Sequence, residues 1–268
     1  MKLFAPHLRL TDKINKKMNE VMKKKLSFVA VAIMSMVTLA SCMEVHLGYG
    51  MGKKLKPSKN VVTVQYQQNA FEAVDLDIVA SVVFVQGNES KVVLTAPDNY
   101  IELFQFENKD GELKVKFAKR NVNIEPKNVR LVVYSPRLTK LVNSGVAQVH
   151  IKKLNTESLK LDNSGVGSMK VEGLQAQAVD VDCSGVGGVT VAGKAGSVAL
   201  DCSGVGSIHA DELEGQAVEA DVSGVGGIKC WATESLKGDV SGVGSLKYKG
   251  NPKAKDLHRS GVGSVSQL

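Results

Sequence analysis

The second half of the chain is organised by a four-residue phrase, Ser-Gly-Val-Gly, that returns at a nearly constant interval. Seven copies stand 18–20 residues apart, and in the first of them alanine replaces the second glycine. They begin at Ser144, Ser164, Ser184, Ser203, Ser223, Ser241 and Ser260. Self-similarity at a period near twenty is typical of a solenoid, in which each repeat buries its apolar face only by stacking on its neighbours.

Aligning the copies on the serine shows apolar residues alternating with polar or small ones on both sides of the phrase. One such apolar column, five positions before the serine, contains Leu159, Val179, Val198, Val218 and Leu236. Period-two alternation predicts strands with one buried and one exposed face, and two glycines per period argue against helical repeats. Because parallel crossovers are almost always right-handed, we predict an all-β, right-handed β-solenoid of about seven rungs over residues 138–268.

The phrase itself is expected to form one corner of each rung. Its glycines supply backbone angles that residues with a Cβ adopt poorly, and the valine between them is expected to point inward. A second corner is predicted near Gly173, Gly193 and Gly250.

Residues 1–41 have the pattern of a secretory signal. Three lysines at 23–25 precede an apolar run from Leu26 to Leu39, which is short for a membrane span. Leu39-Ala40-Ser41-Cys42 resembles a bacterial lipobox, so we predict that Cys42 is lipidated and becomes the new N-terminus; a plain secretory peptide is the alternative. Residues 1–21 precede a complete signal and resemble a misassigned start, with a genuine extension as the alternative.

The basic character of the chain lies mainly in this signal. Residues 1–41 contain eight Lys or Arg and two acidic residues, so about one positive charge of the formal net +7 remains for the mature chain. A nearly neutral mature chain gives no support to nucleic-acid binding.

Two further segments precede the repeats. Residues 42–60 combine glycines, lysines and Pro57 without periodicity, and we interpret them as a tether between the lipid and the domain. Residues 61–137 contain short alternating apolar segments separated by turn residues, together with five of the seven phenylalanines. This N-terminal β region is expected to cap the first rung, since an uncovered β edge recruits other chains.

Several of these segments carry a family resemblance. Phe71, Val85-Gln86-Gly87, Ala96-Pro97-Asp98-Asn99, the run from Asp110 to Val115 and the Ser-Gly turns resemble the putative auto-transporter adhesin head family, also called the GIN domain. The resemblance runs from about Val61 to the C-terminus. It implies a secreted or lipid-anchored, single-stranded right-handed parallel β-helix that is related in shape to pectin lyases, has no recognised catalytic residues and is assigned to cell adhesion.

An unbroken acidic column stands two positions before the serine and is the most suggestive candidate site. Its members are Asp162, Asp182, Asp201, Asp221 and Asp239. Like charges about 4.8 Å apart repel by roughly 1 kcal/mol per pair in water, so something must offset them. The carboxylates are expected to accept hydrogen bonds from the backbone N–H groups of the turn. The alternative is a bridging cation such as calcium; a catalytic role would also need a clustered basic residue.

Cys183 and Cys202 occupy one in-facing column on adjacent rungs. We expect a ladder of buried thiols, and a disulfide is the alternative, because parallel Cβ vectors hold the Cβ atoms farther apart than in most disulfides. Cys230, in another in-facing column, is expected to be a packed free thiol. No Cys-x-x-Cys spacing exists that would indicate a metal site.

The aromatic and histidine residues give weaker signals. Trp231, the only tryptophan, is placed in an out-facing column, where an exposed ring is a candidate contact for a sugar or protein; a ring lying over a corner is the alternative. His150 and His209 share an out-facing column. A Ser-His-Asp grouping around His209 carries little weight, because every turn supplies a serine and an aspartate.

These patterns favour a non-enzymatic, adhesin-like lipoprotein that needs no cofactor and lies at the outer membrane, on its periplasmic or surface face. The expected partners are the membrane, a host or bacterial surface glycan or protein, and other copies of the chain. The rival interpretations are an envelope scaffold that binds only other subunits and a polysaccharide-active enzyme of pectin-lyase-like shape.

Overall fold

The structure is a computed structural model, and it describes residues 54–268. The predicted signal, its lipobox cysteine Cys42 and residues 42–53 of the predicted tether lie outside the described residues. The remaining part of that tether, residues 54–60, lies against the domain. Leu55 forms a parallel β-bridge with Ile124, and the Tyr100 hydroxyl donates a 2.7 Å hydrogen bond to the Leu55 carbonyl.

The repeat region is built from eleven strands around one helical axis. They are β8 (Lys140–Asn143), β9 (Val146–Ile151), β10 (Leu154–Asn155), β11 (Ser158–Asn163), β12 (Val166–Asp182), β13 (Val186–Cys202), β14 (Val205–Val222), β15 (Val225–Val240), β16 (Val243–Lys249), β17 (Ala254–Arg259) and β18 (Ser264–Gln267). Every pairing between them is parallel, and the Ser-Gly corners stack on one another. The predicted all-β parallel solenoid is confirmed, with about six turns.

The stacked strands form two main faces that meet at the Ser-Gly-Val-Gly bend. We call the segments before each bend the upstream face and those after it the downstream face. The upstream face contains β8, β11, the second halves of β12 to β15, and β17; the downstream face contains β9, the first halves of β12 to β15, β16 and β18. The predicted in-facing columns are buried on both faces: Leu159, Leu161, Met169 and Val171 are each at most 1% exposed.

The valine of the repeated phrase points outward, so the prediction that it points inward is wrong. Val186, Val205, Val225, Val243 and Val262 are 38–80% exposed. The alternation of in-facing and out-facing residues continues through the bend without a change of phase: Gly165 is buried, while Ser164 and Ser168 are exposed. The inward positions at the bend are therefore held by glycine, with a buried alanine only at Ala147 in the first copy, and the valine stands on the outside.

The N-terminal β region consists of seven strands and one short helix. They are β1 (Val61–Gln67), β2 (Ala73–Asp77), β3 (Val79–Gln86), β4 (Lys91–Pro97), α1 (Asp98–Ile101), β5 (Phe104–Lys109), β6 (Glu112–Phe117) and β7 (Arg130–Ser135). Four of these strands extend the solenoid instead of only covering it. β2 and β3 pair in parallel with β8 and β9, and β6 and β7 pair in parallel with β2 and β3.

The antiparallel strands make the cap itself. β4 pairs antiparallel with β7, β1 with β4, and β5 with β6. Phe71, Phe84 and Phe104 are buried beneath them, as the concentration of phenylalanine predicted. Two elements, β5 and α1, were not predicted from the sequence.

The opposite end of the rod is closed by its own last rung. In β17, Lys255 takes the core position that Leu236 holds one rung earlier, and Arg259 takes that of Val240. Arg259 Nη1 donates a 2.9 Å hydrogen bond to the Gly263 carbonyl, and Lys255 Nζ lies 6.0 Å from the Tyr248 ring centroid. Charged side chains in core columns protect a terminal β edge from pairing with other chains. No helix within residues 54–268 is long and apolar enough to span a membrane.

The bend leaves no room for a side chain on its inner side. Gly187 has φ +137°, and a Cβ there would lie 1.8 Å from the Gly167 carbonyl oxygen of the previous rung. We expect Gly187→Ala to lower the free energy of unfolding by at least about 2 kcal/mol, because both the backbone angle and the contact become strained. The matched control is Gly87→Ala, where a Cβ would meet nothing within 4 Å. Denaturant unfolding of both variants tests this, and equal stability would contradict the described bend.

Candidate functional site

The aspartates form a continuous ladder on the outside of the upstream face. Asp162, Asp182, Asp201, Asp221 and Asp239 are direct partners on successive rungs, as the sequence predicted. The equivalent position is held by Val142 on the rung before the first aspartate and by His258 on the rung after the last one. The run of aspartates therefore covers only the five rungs between them. We call these five residues the Asp ladder.

The backbone N–H groups of the turns do not bind the ladder, although a hydrogen bond from the Ser164 side chain lowers the pKa of Asp162. The glycine N–H of each bend donates to a backbone carbonyl one rung earlier, as in Gly185 N–H to Asn163 O at 2.9 Å and Gly224 N–H to Cys202 O at 3.1 Å. The interpretation that these N–H groups bind the carboxylates is therefore wrong. Oδ1 of Asp162 and Oδ1 of Asp182 are both buried without a hydrogen-bond partner.

Burial and like charge act together on the ladder. Desolvation, followed by repulsion from Asp182, raises the pKa of Asp162 above its usual range. Desolvation, followed by repulsion from Glu219 and Asp201, raises the pKa of Asp221. Across residues 54–268, no group of three or more His, Cys, Asp or Glu side chains is arranged to hold a metal ion. The bridging cation stays a prediction.

A second out-facing column runs beside the Asp ladder and contains both basic and acidic residues. It contains Lys140, Lys160, Asp180, Ala199, Glu219, Lys237 and Asp256. Lys160 Nζ lies 3.0 Å from Asp180 Oδ2, and Lys237 Nζ lies 2.5 Å from Glu219 Oε1. Hydrogen bonding to these carboxylates raises the pKa of Lys160 and of Lys237. Most charges of this column therefore neutralise one another.

A long open groove lies next to these ion pairs. Its floor is a column of small out-facing residues, one per rung: Ser158, Ala178, Ser197, Ala217, Ser235 and Ala254. The groove has a volume of about 1020 Å³ and is also lined by Thr139, Lys160 and Lys253. The small side chains leave the strand backbone accessible, so the groove runs lengthwise along the rod across the strands.

A second opening lies where the downstream face meets the next corner. It has a volume of about 960 Å³, and its lining includes Gln86, Arg130, His150 and Lys152. His150 Nε2 lies 3.1 Å from Glu172 Oε2, so this histidine already has a carboxylate partner. The Gln86 amide bonds the Asn155 backbone in both directions, at 2.9 Å each. The polar groups of this opening hold the corner together.

The two stacked cysteines lie inside the solenoid as free thiols. Cys183 and Cys202 are fully buried, and their thiols point to the Gly187 and Gly206 carbonyls at 3.9 Å and 3.5 Å. The structure thus has the expected thiol ladder and not the alternative disulfide. A hydrogen bond with Cys202 and burial both raise the pKa of Cys183, whereas the same hydrogen bond lowers the pKa of Cys202. Burial raises the pKa of Cys230 to about 12.

The Trp231 ring is less exposed to a ligand than its place in an out-facing column implied. The residue is half-buried, and Lys249 Nζ lies 4.3 Å from the ring centroid. This arrangement matches the alternative of a ring that lies over a corner. The Asp ladder and His209 stand on opposite sides of the Ser-Gly-Val-Gly bend, eight residues apart in each rung, so a Ser-His-Asp grouping is not assembled.

One surface feature was missed because the valine was expected to be buried. Eight valines stack on successive rungs along the outside of the bend: Val79, Val146, Val166, Val186, Val205, Val225, Val243 and, one period on, Val262. We call them the valine ridge. In-facing and out-facing residues alternate without interruption from one side of the phrase to the other. This pattern in the sequence could have shown that the valine points outward.

Comparison with protein families identifies one family over most of the chain. Residues 70–252 match the family described as "Putative auto-transporter adhesin, head GIN domain". No curated protein matches the chain significantly.

Solved structures show the same architecture. A putative adhesin from Bacteroides fragilis is 36% identical, with a TM-score of 0.78 over 80% of this chain and 100% of that one. A putative adhesin from Parabacteroides merdae is 20% identical, with a TM-score of 0.62 over 81% and 100%. A putative lipid binding protein from Parabacteroides distasonis is 19% identical, with a TM-score of 0.65 over the same shares. At these lower identities the likeness shows the fold alone.

The strain in the Asp ladder predicts a stabilising substitution. A carboxyl whose folded-state pKa is raised destabilises the fold above that pKa, and the effect disappears below its unfolded value of about 4. We expect Asp162→Asn to raise the melting temperature at pH 7 by roughly 2–4 °C, the shift that about 1 kcal/mol gives a domain of this size. The gain should vanish near pH 4.

The matched control is Asp180→Asn on the next rung, which removes an ion pair and relieves no repulsion. Calorimetry at pH 7 and pH 4 compares the two variants. A melting temperature of Asp162→Asn that is equal to or below that of the parent at pH 7 would show that the ladder is not strained.

Proposed function

Because the chain belongs to the family of putative auto-transporter adhesins with a head GIN domain, we propose that it is a non-enzymatic, adhesin-like binding module. It is held at the cell envelope by a lipid on Cys42, and its rod recognises an extended surface glycan. The lipobox pattern at residues 39–42 supports the anchor.

The groove on the upstream face is the observation that carries this proposal. Its floor alternates serine and alanine on six successive rungs, so it offers a regular track for a polymer that lies along the rod. Six rungs at about 4.8 Å give a track of about 29 Å. Serine hydroxyls beside paired charges suit a polar chain of low net charge.

The chemistry of the groove favours binding over catalysis. General acid–base catalysis needs a group that is free to exchange a proton with the substrate. Among the charged side chains that line the groove, Lys160 is engaged with Asp180 and Lys237 with Glu219. Weak contacts repeated along a rigid rod give useful affinity when many copies act together.

The anchor is tested by Cys42→Ala in the full chain. The variant should leave the membrane fraction and lose labelling by a fatty-acid analogue, because the thiol that would carry the lipid is gone. Cys230→Ala, which removes a buried thiol, serves as the control and should remain in the membrane fraction. Retained labelling of Cys42→Ala would refute the anchor.

Binding is tested with beads that carry many copies of the chain, applied to mucin, matrix and bacterial glycan surfaces. Ser197→Trp should reduce adhesion at least tenfold, because the indole fills the groove. Ser81→Trp, the same change at an exposed position of β3 away from the groove, should have no effect. Depolymerisation of a glycan would favour the enzyme, and adhesion only between coated beads would favour the scaffold.

A further inference from the structure

Five of the nine exposed large apolar side chains in the described part of the chain belong to the valine ridge. Its members from Val186 to Val262 are 38–80% exposed, and they stack on successive rungs. Serine flanks them before the bend, and serine or glycine flanks them on most rungs after it, as at Ser168, Gly188 and Ser207. A continuous apolar stripe with a polar rim is typical of an interaction surface.

The geometry of the bend does not by itself require valine. The glycines are explained by the close approach of consecutive rungs, whereas the valine faces outward and is partly exposed. Threonine has the same β-branched shape and strand preference and carries a polar hydroxyl. Yet all seven copies of the phrase have valine. The fold of a single chain therefore does not explain why this position is apolar in every copy of the phrase.

The ridge separates two ladders of opposite charge. Four residues before five of the ridge valines, Val166, Val186, Val205, Val225 and Val243, stands the Asp ladder. Four residues after the ridge valines from Val146 to Val243 stands a column that we call the basic ladder, which comprises His150, Lys170, Thr190, His209, Lys229 and Lys247. The same rung thus carries Asp162 with Lys170, Asp221 with Lys229, and Asp239 with Lys247. Wherever both columns have a titratable residue, the rung has an aspartate on one side of the valine and a lysine or histidine on the other.

We propose that the valine ridge is a dimer interface with a second copy of this chain, and that the two rods lie parallel. A two-fold axis along the rods places valine against valine on every rung. The same operation places the Asp ladder of each copy opposite the basic ladder of the other, so Asp221 faces the Lys229 position and Asp239 faces the Lys247 position. The long lysine side chains can cross the gap that the two bends leave beside the ridge.

The antiparallel alternative is disfavoured by charge. A two-fold axis perpendicular to the rods would place the Asp ladder opposite itself and the basic ladder opposite itself. Like charges opposed across an interface suppress that pairing. The parallel dimer also relieves like-charge repulsion within the Asp ladder where it brings lysine opposite aspartate, as at Asp221 with Lys229 and at Asp239 with Lys247.

The available area is sufficient for a stable dimer. The valine column and its two flanking columns form a strip about 34 Å long and about 20 Å wide, since out-facing columns stand two strand residues apart. Two such strips bury about 1,400 Å² in total, within the range of specific protein interfaces.

Register is tested with single cysteines in the full chain, in membranes, under mild oxidation. A parallel dimer places each residue opposite its own copy, so both Val166→Cys and Val243→Cys should form cross-linked dimers when present alone. Ser197→Cys, which is exposed in the groove, is the matched control and should give only the background of the parent chain. Failure of both single variants to cross-link, or cross-linking only when Val166→Cys and Val243→Cys chains are mixed, would overturn the parallel dimer.

The apolar and charged contributions are tested by sedimentation of the full chain in detergent. Replacing Val186, Val205 and Val225 with threonine keeps the strand preference and should weaken the dimer at least tenfold with little change in melting temperature. Asp221→Lys alone and Lys229→Asp alone should each weaken it, and the two combined in one chain should restore it. A dimer that is indifferent to the threonine variant, or a double charge reversal no better than either single one, would refute the proposed interface.

Discussion

Parallel stacking in exact register is the constraint on which the rest of this structure depends. Because each rung pairs its backbone with the rung before it, a residue has its own equivalent as its neighbour about 4.8 Å away. The character of one position is therefore repeated on successive rungs and becomes the character of a whole column. Apolar columns become a continuous core, carboxylates become the strained Asp ladder, small residues become the groove and valines become the ridge. The functional surfaces are consequences of the same register that holds the core together.

This register also explains which features could be predicted from the sequence. The strands, their exposed faces, the Asp ladder and the buried thiols at Cys183 and Cys202 follow from alternation and period alone, since both are local properties. The N-terminal rungs could not be found in this way. β2 and β3 share the alternation of the repeats but lack the Ser-Gly phrase, and their parallel pairing with β8 and β9 depends on contacts about 67 residues apart in the chain.

The errors made for the valines and aspartates at the bend and for Trp231 at the corner have separate physical causes. A valine between glycines suggested burial, because large apolar residues are usually inside, but the phase of the alternation decides direction and the inner side has no room for a Cβ. The aspartates were expected to bind turn N–H groups, which the ladder of rungs already uses. For Trp231, the neighbour that covers the ring, Lys249, comes from the next rung, so its position depended on the exact register at an irregular corner.

The last rung sets the length of the rod. Lys255 and Arg259 stand in columns that are apolar in the rung below, and a further repeat placed on β17 would have to bury both charges. New repeats can therefore be inserted between existing rungs, where every column continues, whereas a repeat stacked directly on β17 would require these two residues to change. Growth of such a rod during evolution is thus confined to internal duplication, and its two ends should be inherited as fixed pieces while the number of turns between them drifts.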